Sequence, residues 1–272
     1  MNVIAKDARA EIDLSDPRGV RRAARTGHFT DHTSRAAPGF VQANLAILPK
    51  DYAEDFFRFC QRNPRPCPVL EVTEPGDPGF PTLAEDLDVR SDVPSYRVFR
   101  DGEYAGDVGD ITELWRDDLV AFALGCALSV DLTLIEAGVP VRHVEQNSLG
   151  PMYITNIPTA PAGPFRGSLV VSMKPLTPAN AIRAIQITSR FPRVHGAPVH
   201  MDRPDLIGIE NVMIPDFGPE RAQIEEGEIP VLWACGVTPQ VVVREARPPL
   251  CITHTPGHML VTDLRNATLA AF

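Results

Sequence analysis

The sequence predicts an α/β fold: mixed β-sheets with flanking helices in two subdomains, residues 1–150 and 151–272. Three observations carry this. Apolar runs of strand length recur between stretches of helical spacing. Proline supplies 27 of 272 residues, about twice its usual share, without low complexity, so the turns are many and fixed. The small, uncharged run Thr159-Ala160-Pro161-Ala162-Gly163-Pro164 interrupts mid-chain as a linker or subdomain border would.

Ser15-Asp16-Pro17 starts a helix and Gly27 stops it, which predicts a short exposed helix over the basic stretch between. Residues 28–39 have loop composition, and residues 41–48 form a strand with Gln42 and Asn44 on one face. Pro49 opens a helix to about residue 61, with Tyr52, Phe56, Phe59 and Cys60 at helical spacing and Asn63-Pro64 as its stop. A strand follows over 69–73. Asp101-Gly102 between 96–100 and Glu103-Tyr104 predicts a hairpin, because both turn residues tolerate the positive φ of a type I′ turn. A helix is expected from Asp110 or Thr112 through Trp115 and Phe122, and another capped by Ser129 and ended by Gly138. Residues 141–145 and 153–157 read as strands. In the second half, 170–178 lies over 231–239 as a weak repeat: a β-rich run, a tight turn, and Thr-Pro opening a helix. It suits a pair of β-turn-α units, although proline-rich turns also produce such likeness by chance.

Composition excludes several functions. A net charge of -9 argues against phosphate backbones and anionic bilayers, so neither nucleic acid nor membrane is an expected partner. The longest uncharged apolar run, 119–130, is too short to span a bilayer. The mixed charges of Lys6, Asp7, Arg9, Glu11 and Asp13 suit neither a signal nor a transit peptide, which places the chain in the cytoplasm. Five scattered cysteines without a CxxC pair read mostly as buried thiols. No dinucleotide fingerprint, P-loop, GxSxG or HExxH occurs, so no nucleotide cofactor is expected. A homo-oligomer is compatible with the composition.

The candidate chemistry sits at turns. Cys235-Gly236 before Thr238-Pro239 sets a thiol and helix N–H groups at a sheet's carboxyl edge, where an anion would bind and the helix dipole would lower the thiol's pKa. The competing reading is a small buried hydrophobe beside an ordinary helix start. His195 with His200, and His254 with His258, fall in two short Gly- and Pro-broken turns that suit acid–base work or metal ligation, and equally suit hydrogen-bonded structural histidines. His258 is favoured for the nearby Asp263. Arginine outnumbers lysine 23 to 3, and Arg190, after the first Thr-Pro helix, is the favoured carboxylate binder. Glu71 and Asp77 flank Pro75-Gly76 as a carboxylate pair or as solvated loop residues.

Several longer words resemble the D-glutamate cyclase family, whose bacterial members are named hydro-lyases. These are Pro38-Gly39-Phe40-Val41-Gln42-Ala43-Asn44-Leu45, Phe59-Cys60-Gln61-Arg62-Asn63-Pro64, Leu114-Trp115-Arg116-Asp117-Asp118, Met152-Tyr153-Ile154-Thr155-Asn156-Ile157, Ile187-Thr188-Ser189-Arg190-Phe191-Pro192, Trp233-Ala234-Cys235-Gly236-Val237-Thr238-Pro239-Gln240 and Ile252-Thr253-His254-Thr255-Pro256-Gly257-His258-Met259. They stand in the family's order across roughly residues 21–264. Arg35 stands where the family has a small residue and Ile154 where a basic residue is common, which puts substrate specificity and one carboxylate contact in question. The resemblance implies an α/β fold and a carbon–oxygen lyase that dehydrates D-glutamate, or a related small amino or carboxylic acid, to a lactam such as 5-oxo-D-proline. That chemistry needs a carboxylate site, a base for the amine, and an acid or divalent metal for the departing oxygen. Arg190 and the Thr238 helix start would hold carboxylates, with His195 and His200 beside them. His258 or His254 would move protons, Cys235 or Tyr153 would assist the leaving oxygen, and Asn44 and Asn156 would orient the substrate. The alternatives are a non-catalytic binder of a carboxylate metabolite and a Cys-dependent amide hydrolase.

Overall fold

A computed structural model describes residues 13–271. The charge pattern of residues 6–11 therefore lies outside the described part. The fold is α/β, as expected: among the described residues six α-helices flank two sheets. Every described ladder is antiparallel.

The first sheet is built around β1 (Phe40–Pro49), which is almost wholly buried. Its alternation splits two cores: Leu45 and Ile47 face one, Ala46 and Leu48 the other. The strand order is β2 (Val69–Val72), β5 (Leu119–Gly125), β1, β10 (Cys251–His254), β3 (Tyr96–Arg100) and β4 (Glu103–Val108). β11 (Leu260–Arg265) also pairs with β1. It lies end to end with β10: β10 takes Ala46 and Ile47, β11 takes Phe40, Gln42 and Ala43. The chain leaves the sheet between them. One face is covered by α2 (Lys50–Arg62), whose Phe56 and Phe59 meet Phe122 and Phe165. The other is covered by the turn-rich segment 73–95, through Phe80, Leu83, Leu87, Val89 and Val93.

The second sheet has the order β6 (Met152–Pro158), β7 (Ser168–Leu176), β9 (Ile229–Ala234) and β8 (His200–Met201). On one face α3 (Leu128–Glu136) and α5 (Pro178–Thr188) bury Leu134, Ala181 and Ala184 with Trp233. The run 159–164 is part of the connection between β6 and β7, neighbours in this sheet, and Ala162 bridges Phe165 within it. The first sheet draws strands from both ends of the chain, while all four strands of the second lie between residues 152 and 234.

Several element expectations change. α1 (Pro17–Arg25), capped by Asp16, is not simply exposed: Arg21 is fully buried and grips Asp86 and Asp263, so Asp263 serves this ion pair rather than His258. The helix expected through Trp115 and Phe122 is a 3-10 turn at Thr112–Leu114 followed by β5, because strand pairing on both flanks overrides the local pattern. The strand expected at 141–145 is the short helix α4 (Arg142–Glu145). Ser129 lies inside α3, where its hydroxyl bonds the backbone of Gln42 instead of capping. The hairpin holds, with Asp101 and Gly102 at φ +51° and +81°. Both Thr-Pro helices form, α5 and α6 (Thr238–Ala246), but β7 and β9 run antiparallel, so their following helices start at opposite edges of the sheet.

Candidate active site

The principal cleft opens where β10 and β11 part along β1, and the second sheet closes it. It encloses about 750 Å³ of space free of protein atoms, its mouth included, ample for a small metabolite. Asn44 and His254 enter from the first sheet, Ser172 and Lys174 from β7, and Cys235-Gly236 from the end of β9. Cys126, Asp131 and His143 come from the α3 and α4 side, and His195 from the loop after α5.

At the break between β10 and β11 the Leu45 N–H donates to His254 Nδ1 at 3.0 Å. A backbone N–H can only donate, so Nδ1 carries the lone pair and neutral His254 holds its proton on Nε2. His195 has the opposite polarity. Its Nδ1 lies 2.7 Å from the Arg65 carbonyl and must donate, which leaves the buried Nε2 lone pair with no hydrogen-bond partner. The residue sits in the left-handed region, φ +80°, uncommon for a side chain this large. Burial holds both imidazoles neutral, lowering each to about 4.

Lys174 is 5% exposed and Asp131 2%, and their charged atoms are 2.8 Å apart. The other Asp131 oxygen is 2.8 Å from His143 Nε2. Burial opposes ionisation of Asp131, but the Lys174 and His143 charges outweigh it and hold the carboxyl at about 2. The cleft therefore carries a fixed ammonium beside apolar walls of Leu128, Leu149, Met152 and Met259.

Two helix starts meet the cleft: Cys126-Ala127-Leu128 opens α3 and Cys235-Gly236-Val237 opens α6, and neither is capped by a side chain. The Cys235 expectation reverses here. Burial outweighs the Val237 N–H at 3.5 Å, raising the thiol to about 11, and Cys126 likewise to about 12. Both are thiols at neutral pH. Asn44 donates to the Gly125 carbonyl at 2.8 Å, and its side chain occupies the space a Cβ on Gly236 would need. With every described ladder antiparallel, neither sheet has a carboxyl edge among the described residues; the site is a gap in one sheet faced by another.

Of the residues singled out in the sequence, His195, His254, Cys235 and Asn44 come together in this cleft. The rest lie elsewhere. His258 Nδ1 bonds the Pro256 carbonyl and its ring meets His32 edge-on at 4.9 Å, so His32, not His258, lines the cleft. Tyr153 packs in the second sheet's other core and donates to the Val212 carbonyl. The Thr238 hydroxyl is fully buried against the Val170 backbone, joining α6 to β7. Asn156 is exposed on β6, against Gly208, and His200 bonds the Arg203 carbonyl on edge strand β8. Arg190 sits in the turn after α5, its carbonyl accepting from the Ala271 N–H. Glu71 accepts from Thr82 and Asp77 from the Gly79 N–H. Arg35 lines a neighbouring hollow, and Ile154 is exposed on β6. Lys174, Asp131, His143 and Cys126 were not singled out. Among the described residues no three His, Cys, Asp or Glu side chains are grouped to hold a metal ion. No helix among them is long and apolar enough to cross a membrane.

One cleft of this α/β chain thus gathers a buried ammonium, two neutral imidazoles and two thiols. The sequence profile of the D-glutamate cyclase family matches residues 120–263. A Bordetella petrii protein named "Putative hydro-lyase Bpet2233" is 62% identical over 251 residues, 92% of this chain and 95% of that one. Proteins named "Putative hydro-lyase" from Verminephrobacter eiseniae and Xanthobacter autotrophicus are 58% and 53% identical, covering 95% and 98% of this chain and 94% and 96% of theirs. The chain belongs to the D-glutamate cyclase family.

Proposed function

We propose that this protein is a cytoplasmic hydro-lyase that dehydrates D-glutamate, or a related small amino dicarboxylic acid, to a lactam such as 5-oxo-D-proline. The observation that carries the reading is a buried ammonium beside two neutral imidazoles of opposite polarity. In the cyclisation the ammonium nitrogen loses two protons, the side-chain carboxylate oxygen gains two, and water leaves, with no net proton release. Lys174 holds the α-carboxylate as a point charge. The unpartnered Nε2 of His195 takes the first proton from the substrate ammonium and, as imidazolium, gives it to the carboxylate-derived oxygen; after the nitrogen has attacked, the same Nε2 carries the second proton from nitrogen to that oxygen, which leaves as water. His254 can lose its Nε2 proton only as imidazolate, so it acts as a fixed hydrogen-bond donor to the tetrahedral oxyanion. The uncapped helix starts add positive potential to the same space.

The test is incubation of the full chain with D-glutamate, L-glutamate and 5-oxoproline, followed by product analysis. Lactam from D-glutamate, reduced at least about a hundredfold in His195→Gln, is expected. Thermal stabilisation without turnover would instead make it a carboxylate-binding protein. Lactam hydrolysis lost with Cys235→Ser would make it an amide hydrolase, a reading weakened by the protonated state of both cleft thiols.

A further inference from the structure

β7 carries two unlike faces. Leu169, Val171 and Met173 join Tyr153 and Leu232 in one core, so the alternate residues Val170, Ser172, Lys174 and Leu176 share the other face. The ends of that row are packed: Val170 lies in a cluster with Met152 and Val237, and Leu176 in one with Trp233 and Ala181. Between them stand its two polar side chains, Ser172 and Lys174, and both line the cleft. Two strand positions separate their α-carbons by about 7 Å.

Lys174 has Asp131, but Ser172 Oγ is buried without a hydrogen-bond partner among the described residues. Its cross-strand neighbours, whose side chains stand on the same face, supply none. Met152, opposite it on β6, offers only a thioether, and the indole N–H of Trp233, opposite it on β9, already donates to Thr188 Oγ1 at 3.1 Å. The Lys174 ammonium lies 5.8 Å from the centre of that same Trp233 ring, so it turns along the strand toward the row that holds Ser172. An orphan hydroxyl between apolar neighbours costs the fold stability, and alanine would fill the position without that cost.

We infer that Ser172 is the second contact for the substrate's α-carboxylate, its O–H donating to one oxygen while the Lys174 ammonium holds the other, and that this pair sets which mirror form of the amino acid the cleft accepts. A lone ammonium is a point charge about which a carboxylate can swing. A second donor from the same strand face fixes the plane of the carboxylate. With the amine at His195 Nε2 as the next point of contact, only one hand of Cα directs the side-chain carboxyl toward the His254 donor. Ser172 binds and orients, and takes no part in proton transfer. The inference rests on the Lys174 carboxylate anchor of the proposed function.

The experiment measures lactam formation from D-glutamate and from L-glutamate, and the melting temperature of the full chain with and without each, for the parent, Ser172→Ala and Ser172→Thr. The parent should favour one enantiomer. Ser172→Ala should lose about ten- to a hundredfold in kcat/KM on that enantiomer and less on its mirror form, so that the ratio narrows. Its melting temperature without ligand should be equal or higher, because the orphan hydroxyl is gone. Ser172→Thr, which keeps the hydroxyl, should retain the ratio. An unchanged ratio in Ser172→Ala overturns the assignment and leaves cyclisation standing. So does a lower melting temperature with equal losses on both enantiomers, or a parent that cyclises both equally. If neither enantiomer yields lactam, the cyclisation falls and thermal stabilisation decides the serine: stabilisation by one enantiomer that narrows in Ser172→Ala upholds it, and no such selectivity overturns it.

Discussion

Lys174 and Asp131 depend on each other as residues before they depend on any substrate. Each is a charge taken almost wholly out of water, and the partner at 2.8 Å is what makes that tolerable. Lys174→Met should therefore destabilise the fold by about 3–5 kcal/mol, because Asp131 keeps only His143. Adding Asp131→Asn should restore much of that loss in urea unfolding without restoring turnover. A single variant as stable as the parent would sink the pair's structural role. Gly236 is a second residue-scale constraint: a Cβ there would lie 2.2 Å from Asn44 Nδ2. Gly236→Ala should lower activity by pushing Asn44 from the cleft wall, and Asn44→Ala in the same chain should recover about 1–3 kcal/mol of melting stability. The sequence pointed at Asn44, His195, Cys235 and His254 because they stand in uncommon words near turns. It did not point at Lys174, one of three lysines, because a charge flanked by Met173 and Pro175 reads as a strand's polar position. Its signal was there: it interrupts an apolar run that must be buried on both faces, and Asp131 closes another.

At the level of elements, local pattern succeeded where a segment's neighbours agree with it and failed where they do not. β1, α2 and the 101–102 hairpin carry their own periodicity or turn chemistry and lie where it placed them. β5 has the composition of a helix but is held by β1 on one side and β2 on the other. The segment 73–95 contains Pro75, Pro78, Pro81 and Pro94 and covers one face of the sheet with turns alone. Four of the 27 prolines thus serve as structural cover for the sheet. The end of β5 gives a sharp test. A Cβ on Gly125 would lie 1.9 Å from the Arg193 carbonyl oxygen, a backbone atom in the turn that leads to His195. Gly125→Ala should cost more than about 2 kcal/mol in urea unfolding and weaken catalysis through His195. Gly109→Ala, with open space around it, is the control and should change stability by less than about 0.5 kcal/mol.

For the molecule as a whole, the buried titrating groups set how it meets acid. His195 and His254 fall to about 4 in the fold, below their value of about 6.5 when unfolded. The unfolded chain therefore binds protons first as pH falls. Their contribution is fully present above about pH 6.5 and is lost on the way to pH 4. Asp131, held at about 2, contributes above about pH 4 and is lost as pH falls toward 2. Melting temperature should decline from pH 6.5 downward, well before the carboxylates titrate, and His195→Asn should flatten the first part of that decline. A flat profile between pH 6.5 and 4.5 would contradict the buried neutral histidines.

The placement of β10 and β11 beside β1 has a consequence for how the protein comes into being. β1 is synthesised well before β10 and β11, so one whole flank of it waits for strands made from residues 251–265. Until then the Leu45 N–H has no His254 to receive it and the wall carrying Pro256 and Gly257 does not exist. A nascent or truncated chain ending before residue 251 contains all four strands of the second sheet but leaves β1 with an open edge, a template for association with other chains. Arrival of β10 and β11 thus closes the cleft wall and covers the open edge of β1 in the same step.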